Sequence, residues 1–466
     1  MTSSPADIPM PSAKLNVFQQ LALQWETLHP YNAAQSCLVP GTVPAESWKQ
    51  AWRETIAASG LGGYRFGRSG VWGAMGGGRF SMSRLTEIDP PIVVESGLLE
   101  DHISGQLNEP FTDGQLPLRA MISPRRGGTQ VGVVYRHVVA DSVAIRLLLQ
   151  DWIARALGLA PVIGRPVRVA LPTYTRLFGG MTAGGESLKT VLDSARWAGQ
   201  MRRSRRLEPE LATDLRCKYS GAVATDISPS KLAAGCRRIG LTVGDYLLAA
   251  VADAAATLAP PPACKQRRGM VVGQVVDLRP HIRDARLAAA AQQWFGLFLG
   301  FSTCMCEERS LDDFSALLRA AANHRAKSAT EMSRMLVRMV AGLWMSQTYS
   351  QPRLADFYRR RMPLAAGLSN VNLNQKRSWM RPDISDRIET YERVSPTGPL
   401  MPFVVSTTSH RDQVHIGITR RSGLISDTVA EAIRERLIGR LRQVADDESA
   451  LATTISATQL QRGLVT

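Results

Sequence analysis

The 466-residue sequence lacks long apolar runs, is poor in cysteine and histidine, and is short of acidic charge. No stretch of about 18 apolar residues occurs, so no membrane-spanning segment is expected. The opening "MTSSPADIPMPSAKLN" is polar and proline-rich with no apolar signal core, which predicts a cytoplasmic location. Six cysteines are too sparse for a disulfide scaffold in a chain of this length. Cys304 and Cys306 fall on one face of a predicted strand, without a histidine–cysteine cluster at zinc spacing. They read as buried thiols, and no metal site is expected. The glycine-rich "SGLGGYRFGRSGVWGAMGGGRF" has neither the GxxxxGK[ST] pattern nor a strand–GxGxxG–helix order, so it predicts a loop or hairpins, not a phosphate cradle. No G-x-S-x-G elbow surrounds Ser142, which argues against a hydrolase.

The shortage of acid leaves 56 Lys and Arg against 40 Asp and Glu, a net charge of +16. Arginines cluster in "MRRSRRLEPE", "KQRRGM" and "YRRRMP". Such a surface reads either as a plain solvated face or as one that attracts an acidic partner: nucleic acid, anionic lipid, the phosphates of CoA or an acidic carrier protein. The clusters lack interleaved aromatics, and no helix-turn-helix or zinc-finger pattern accompanies them, so nucleic acid is not expected.

What the chain does have is mixed helix and strand in both halves, which predicts α/β layers. Its length exceeds one ordinary core and predicts two lobes. A Pro-, Gly- and Thr-rich connection near residues 159–185 sets the expected division at 1–178 and 179–466. "PLRAMISP" and "GTQVGVVYRH" read as paired strands around the turn "PRRGG". Helix starts are expected at Ser228 with Pro229, at Thr242 with Asp245, and at Ser310 with Asp313.

The stretch "YRHVVADSVAIRLLLQDW" puts His137 just beyond a β-branched strand and Asp141 just before an amphipathic helix. Were the whole stretch helical, the two would lie one turn apart, as a surface pair or half a metal site. With the strand ending at the histidine, the aspartate need not face it; binding a cation from behind would fix the loop. His137 itself reads either as a catalytic base or as a core histidine closing a strand.

The HxxxD spacing carries little alone, but it stands in an ordered series: "LHPYNAAQSCLVPG", "RHVVADS", "GLTVGDYLLAAVADAA", "VVDLRP", "WFGLFLGF" and "LSNVNLN". With these the chain resembles, over nearly its whole length, the CoA-dependent acyltransferases shaped like chloramphenicol acetyltransferase. The resemblance points above all to free-standing condensation domains of nonribosomal peptide synthesis and polyketide-associated acyltransferases. It implies two similar α/β lobes in a V with a central tunnel, where a thioester donor and an acceptor meet at His137. His137 would be the general base, and Asp141 would pair with Arg279 to support it. Ser142, Ser369 and Asn370 would be candidate oxyanion or substrate contacts, Asn370 reading otherwise as a strand-end turn. The donor would be acyl-CoA or a phosphopantetheine thioester, a substrate and not a bound cofactor. An acyl or peptidyl carrier protein would be the partner, a small molecule the hydroxyl or amine acceptor, and the protein a monomer.

Two departures from the family's HHxxxDG motif matter. Arg136 replaces the first histidine and Ser142 the glycine, where a side chain would narrow the passage. They favour the alternative of a catalytically silent relative that only binds a carrier protein or metabolite. Paired aspartates for ring formation and the DFGWG motif of plant relatives are absent.

Overall fold

The computed structural model describes residues 12–67, 78–94, 99–178, 184–206, 215–224, 226–260, 265–328, 332–346, 348–398 and 401–446. Its strands are β1 (Ser12–Lys14), β2 (Asn32–Pro40), β3 (Gly63–Gly67), β4 (Arg79–Ser83), β5 (Ile92–Val93), β6 (Leu118–Arg125), β7 (Gly128–Arg136), β8 (Cys217–Ala224), β9 (Met270–Asp277), β10 (Leu299–Cys306), β11 (Ala366–Asn372), β12 (Thr390–Val394), β13 (Phe403–His410) and β14 (Gln413–Arg421). They form three sheets, ordered β1-β4-β3, β12-β2-β7-β6-β5 and β10-β9-β11-β13-β14-β8.

The β6–β7 hairpin follows from its sequence. β-branched Thr129, Val131 and Val133 alternate along β7, and Gly127 takes the turn at φ +86°, where a side chain would be strained. β3 and β4 likewise pair as a hairpin within the glycine-rich stretch, of which residues 68–77 lie outside the described part. Both faces of the five-stranded sheet are covered, so β2 is buried along nearly its whole length. On one face the helices Ala45–Ser59 and Ser142–Ala156 pack through Trp48, Trp52 and Trp152, with the Trp152 indole donating to the Trp48 carbonyl at 2.8 Å. The second lobe has its own core, in which the helices Val243–Leu258, Phe314–Ser328 and Asp427–Asp446 cover the six-stranded sheet. Cys304 and Cys306 on β10 are buried in that core.

The division at residue 178 needs correcting. β12 lies far beyond it, yet it pairs antiparallel with β2 and forms the edge of the first sheet. Trp294, Phe295, Phe298, Ile384 and Tyr391 also belong to the first lobe's core. The physical reason is an open sheet edge: β2 exposes unpaired backbone groups until a distant strand covers them. The expected capping at Ser310 also differs. Ser310 ends a short 3-10 turn, Glu308–Ser310, and Asp313 caps the following helix, accepting the Ser315 N–H at 2.9 Å. The other two starts are as expected, with Ser228 accepting from Lys231 N–H and Thr242 and Asp245 forming a reciprocal box. No single helix among the described residues is long and apolar enough to cross a membrane.

Candidate active site

A cavity of about 570 Å³ lies between the five- and six-stranded sheets. That volume suits a small-molecule site. Its walls take Gln35, Tyr135 and His137 from the first lobe and Gly273, Leu368 and Asn370 from the second. Ser142, Ser369, Asp141 and Arg279 line it as well, so every sequence-predicted site residue meets at one cavity.

His137 leaves β7 with its backbone N–H donating to the Tyr31 carbonyl at 2.9 Å. Its ring stacks on Tyr31, centroids 5.3 Å apart, and meets the Tyr135 ring edge-on. Nδ1 lies 2.8 Å from the Ala140 carbonyl, an oxygen that can only accept. Nδ1 therefore carries the hydrogen, and Nε2 keeps the lone pair. Among the described residues Nε2 has no protein partner. Burial pulls the imidazole below its ordinary 6.5, and the nearby Arg393 charge adds to this against the Ala140 bond and Asp141. The ring is thus neutral at pH 7.

Asp141 is fully buried and fully used. One carboxylate oxygen caps the Ser142–Ala156 helix by accepting from Val143 and Ala144 N–H at 3.1 and 3.2 Å. The other accepts from Arg279 at 2.6 Å and from Phe298 N–H at 2.9 Å. One aspartate therefore joins the helix start, β9's end and the "WFGLFLGF" segment. Burial alone would lower Arg279, but Asp141 and Asp277 hold it above its ordinary value.

The two departures are resolved differently. Arg136 points away from the cavity; its guanidinium clamps Glu26 at 2.8–3.0 Å, donates to Asp113 at 2.6 Å and covers the Phe66 ring. It braces β7 and takes no space from the site. Ser142 does line the cavity, at the first turn of its helix, with its carbonyl accepting from Gln35 at 3.0 Å. Across the cavity the Ser369 hydroxyl oxygen accepts from Arg393 at 2.7 Å, leaving its hydrogen to donate. The Asn370 side-chain oxygen accepts from Thr407, leaving its amide group.

Sequence reasoning missed Tyr31, Gln35, Arg146, Asp277 and Arg393 on these walls. Tyr31 lay within a recognised motif, "LHPYNAAQ", without a role attached. Arg393 had no signal, because its place depends on β12 crossing between lobes.

The three arginine clusters meet at one surface. Arg267 donates to the backbone carbonyls of Ser204 at 2.9 Å and Arg360 at 3.0 Å. Arg202, Arg203, Arg268 and Arg361 are exposed there. Trp197, Tyr358 and Met362, from the same helices or just beyond them, line the cavity.

No protein-family model matches the sequence, and no curated protein matches it either. Solved structures do. A trichothecene 15-O-acetyltransferase from Fusarium sporotrichioides superposes with a TM-score of 0.68 at 10% identity, covering 95% of this chain and 96% of that one. The condensation domain of the Monacolin K polyketide synthase MokA gives 0.62 at 12%, covering 95% and 99%. The starter condensation domain of rhizomide synthetase, a mutant in complex with C8-CoA and Leu-SNAC, gives 0.58 at 14%, covering 96% and 97%. The chain therefore has the two-lobed, chloramphenicol acetyltransferase-like fold of these structures. In this condensation-type fold the His137 loop and β11 face each other across the space between the two lobes.

Proposed function

We propose that the protein is a condensation-type acyltransferase, moving an acyl group from a CoA or carrier-protein phosphopantetheine thioester to a hydroxyl or amine acceptor. The observation that carries this reading is the Nδ1–Ala140 hydrogen bond, which leaves Nε2 of a cavity-wall histidine as the basic nitrogen. Nε2 takes the acceptor's proton as its oxygen or nitrogen attacks the thioester carbonyl. The carbon–sulfur bond then breaks, and the same proton passes to the leaving sulfur, giving an ester or amide and a free thiol. A base so placed contributes about 10²–10⁴-fold in rate. Negative charge on the tetrahedral oxygen is met by the Ser369 hydroxyl, the Asn370 amide or the Ser142 backbone N–H. Asp141 and Arg279 hold the loop and take no part in proton transfer.

The basic surface beside the cavity supports a phosphate-bearing donor, either CoA itself or an acidic carrier protein. The likeness to a domain complexed with C8-CoA and Leu-SNAC supports the same donor chemistry. The catalytically silent reading keeps one feature, the Ser142 side chain at the cavity wall. Incubation with a panel of acyl-CoA and acyl-pantetheine thioesters plus alcohol and amine acceptors, with detection of released thiol, separates the two. Release that falls at least about a hundredfold in His137→Ala is expected. Release no greater than that of His137→Ala with every donor and acceptor would establish the silent reading.

A further inference from the structure

The cavity holds more positive charge than its own carboxylates balance. Its charged lining residues are Asp141, Asp277, Arg146, Arg279, Arg338 and Arg393. Both carboxylates sit at Arg279, at 2.6 and 3.5 Å. Arg146 and Arg393 are only 2% and 6% exposed, and neither is paired with a carboxylate among the described residues. Their hydrogen bonds go to neutral atoms. Arg146 donates to the Ser378 carbonyl at 2.6 Å, and Arg393 donates to the Ser369 hydroxyl and, at 3.5 Å, to its carbonyl. The Nε of each has no partner.

A buried cation without a counter-ion is costly, and two close together repel each other. Burial and the Arg146 charge push Arg393 down to about 10, still charged at neutral pH. β12 presents this residue to the cavity while its neighbour Glu392 turns the other way, to the Tyr219 hydroxyl at 3.1 Å. A site that only had to pass an uncharged acyl chain would not need two such guanidinium groups beside its base.

We propose that Arg393 and Arg146 form a carboxylate-binding subsite, so that one of the two substrates carries a free carboxylate near its reacting group. Calling this ligand a substrate rests on the acyl-transfer reading; the binding itself does not. The guanidinium fork of Arg393 would take the carboxylate in charge-assisted hydrogen bonds, anchoring the substrate beside His137.

Two matched probe pairs test this by calorimetry and by rate. On the acceptor side, 3-hydroxydecanoate is compared with 3-hydroxydecanamide; on the donor side, succinyl-CoA with butyryl-CoA. In one of the two pairs the carboxylate form is expected to bind the wild-type protein at least about tenfold more tightly. Arg393→Gln should abolish that preference, and Arg393→Lys, which keeps the charge, should restore part of it. Arg146→Gln should weaken it without disturbing the Ser369 hydrogen bond, giving a second variant should Arg393→Gln fail to fold. Equal or absent binding within both pairs overturns the proposal, as does a preference that survives in the folded Gln variants. Selective acid binding without thiol release would keep the subsite and remove the acyl-transfer reading; thiol release without acid preference would do the reverse.

Discussion

The surroundings of His137 leave Nε2 as its lone-pair nitrogen. The Ala140 carbonyl selects the tautomer, Tyr31 and Tyr135 hold the ring plane, and burial keeps it unprotonated. Because burial lowers the imidazole below 6.5, the neutral form, which the proposed mechanism requires, persists into mildly acidic solution. The acid limb of the kcat/KM profile is therefore expected to have its midpoint below 6.5. Arg393→Gln removes one of the lowering influences, so its acid limb should move to higher pH. A wild-type profile half-maximal above 6.5 would contradict the environment described. Asp141 makes a different prediction, because it joins Arg279, Phe298 and the helix start. Asp141→Ala strands a buried guanidinium and uncaps the helix, and should cost about 3–5 kcal/mol in urea unfolding. Its mirror, Arg279→Met, replaces the cation with an apolar chain but strands the carboxylate, so it should also destabilise.

At the scale of elements, close approach decides what is tolerated. The helix Pro229–Arg238 meets the C-terminal helix Asp427–Asp446 at Gly235, where an added Cβ would lie 1.8 Å from the Val444 carbonyl oxygen. Backbone cannot move aside as a side chain can, so Gly235→Ala must push the helices apart. A loss of about 1–3 kcal/mol in thermal unfolding is expected, with His137 chemistry unchanged because both helices lie on the far lobe's outer layer. Elements of this local kind were legible in the sequence. The β6–β7 hairpin, the Ser228 and Thr242 caps and the strand ending before His137 all depend on residues within a few positions of one another. The Ser310 start failed because a 3-10 turn used the same polar residues, a competition between local structures that spacing does not settle. β12 was not legible at all: its five residues gain their place from an open edge of β2 some 350 positions earlier. Arg393 was hidden for the same reason, whereas the Asp141–Arg279 ion pair, lying at ordered motifs, was expected from resemblance.

The molecule as a whole carries its excess of base partly inside, and its buried titratable groups make stability depend on pH. His415 on β14 is 2% exposed, and neither ring nitrogen has a hydrogen-bond partner. Burial holds it at about 4, and the neighbouring His410 is depressed to about 4 as well, by burial first and then by His415. In the unfolded chain both imidazoles take a proton near 6.5; in the folded protein they resist until about 4. Acidification across that window therefore favours unfolding through these groups. Glu392 works the other way, since burial raises it to about 7 and protonation as pH falls favours the folded state. The whole-protein curve mixes these opposing terms, but the difference between wild type and His415→Leu isolates one. At pH 7 the variant should be more stable by about 1–3 kcal/mol, because it removes a buried N–H with no acceptor. The gap should widen by up to about 3 kcal/mol between pH 6.5 and 4, given 1.36 kcal/mol for each pKa unit, and stay constant below. Relief of His410 in the variant lets it protonate earlier, which adds to the widening. Denaturant unfolding of both proteins at several pH values measures the gap, and one that narrows on acidification would mean that His415 gains a partner for its charged form.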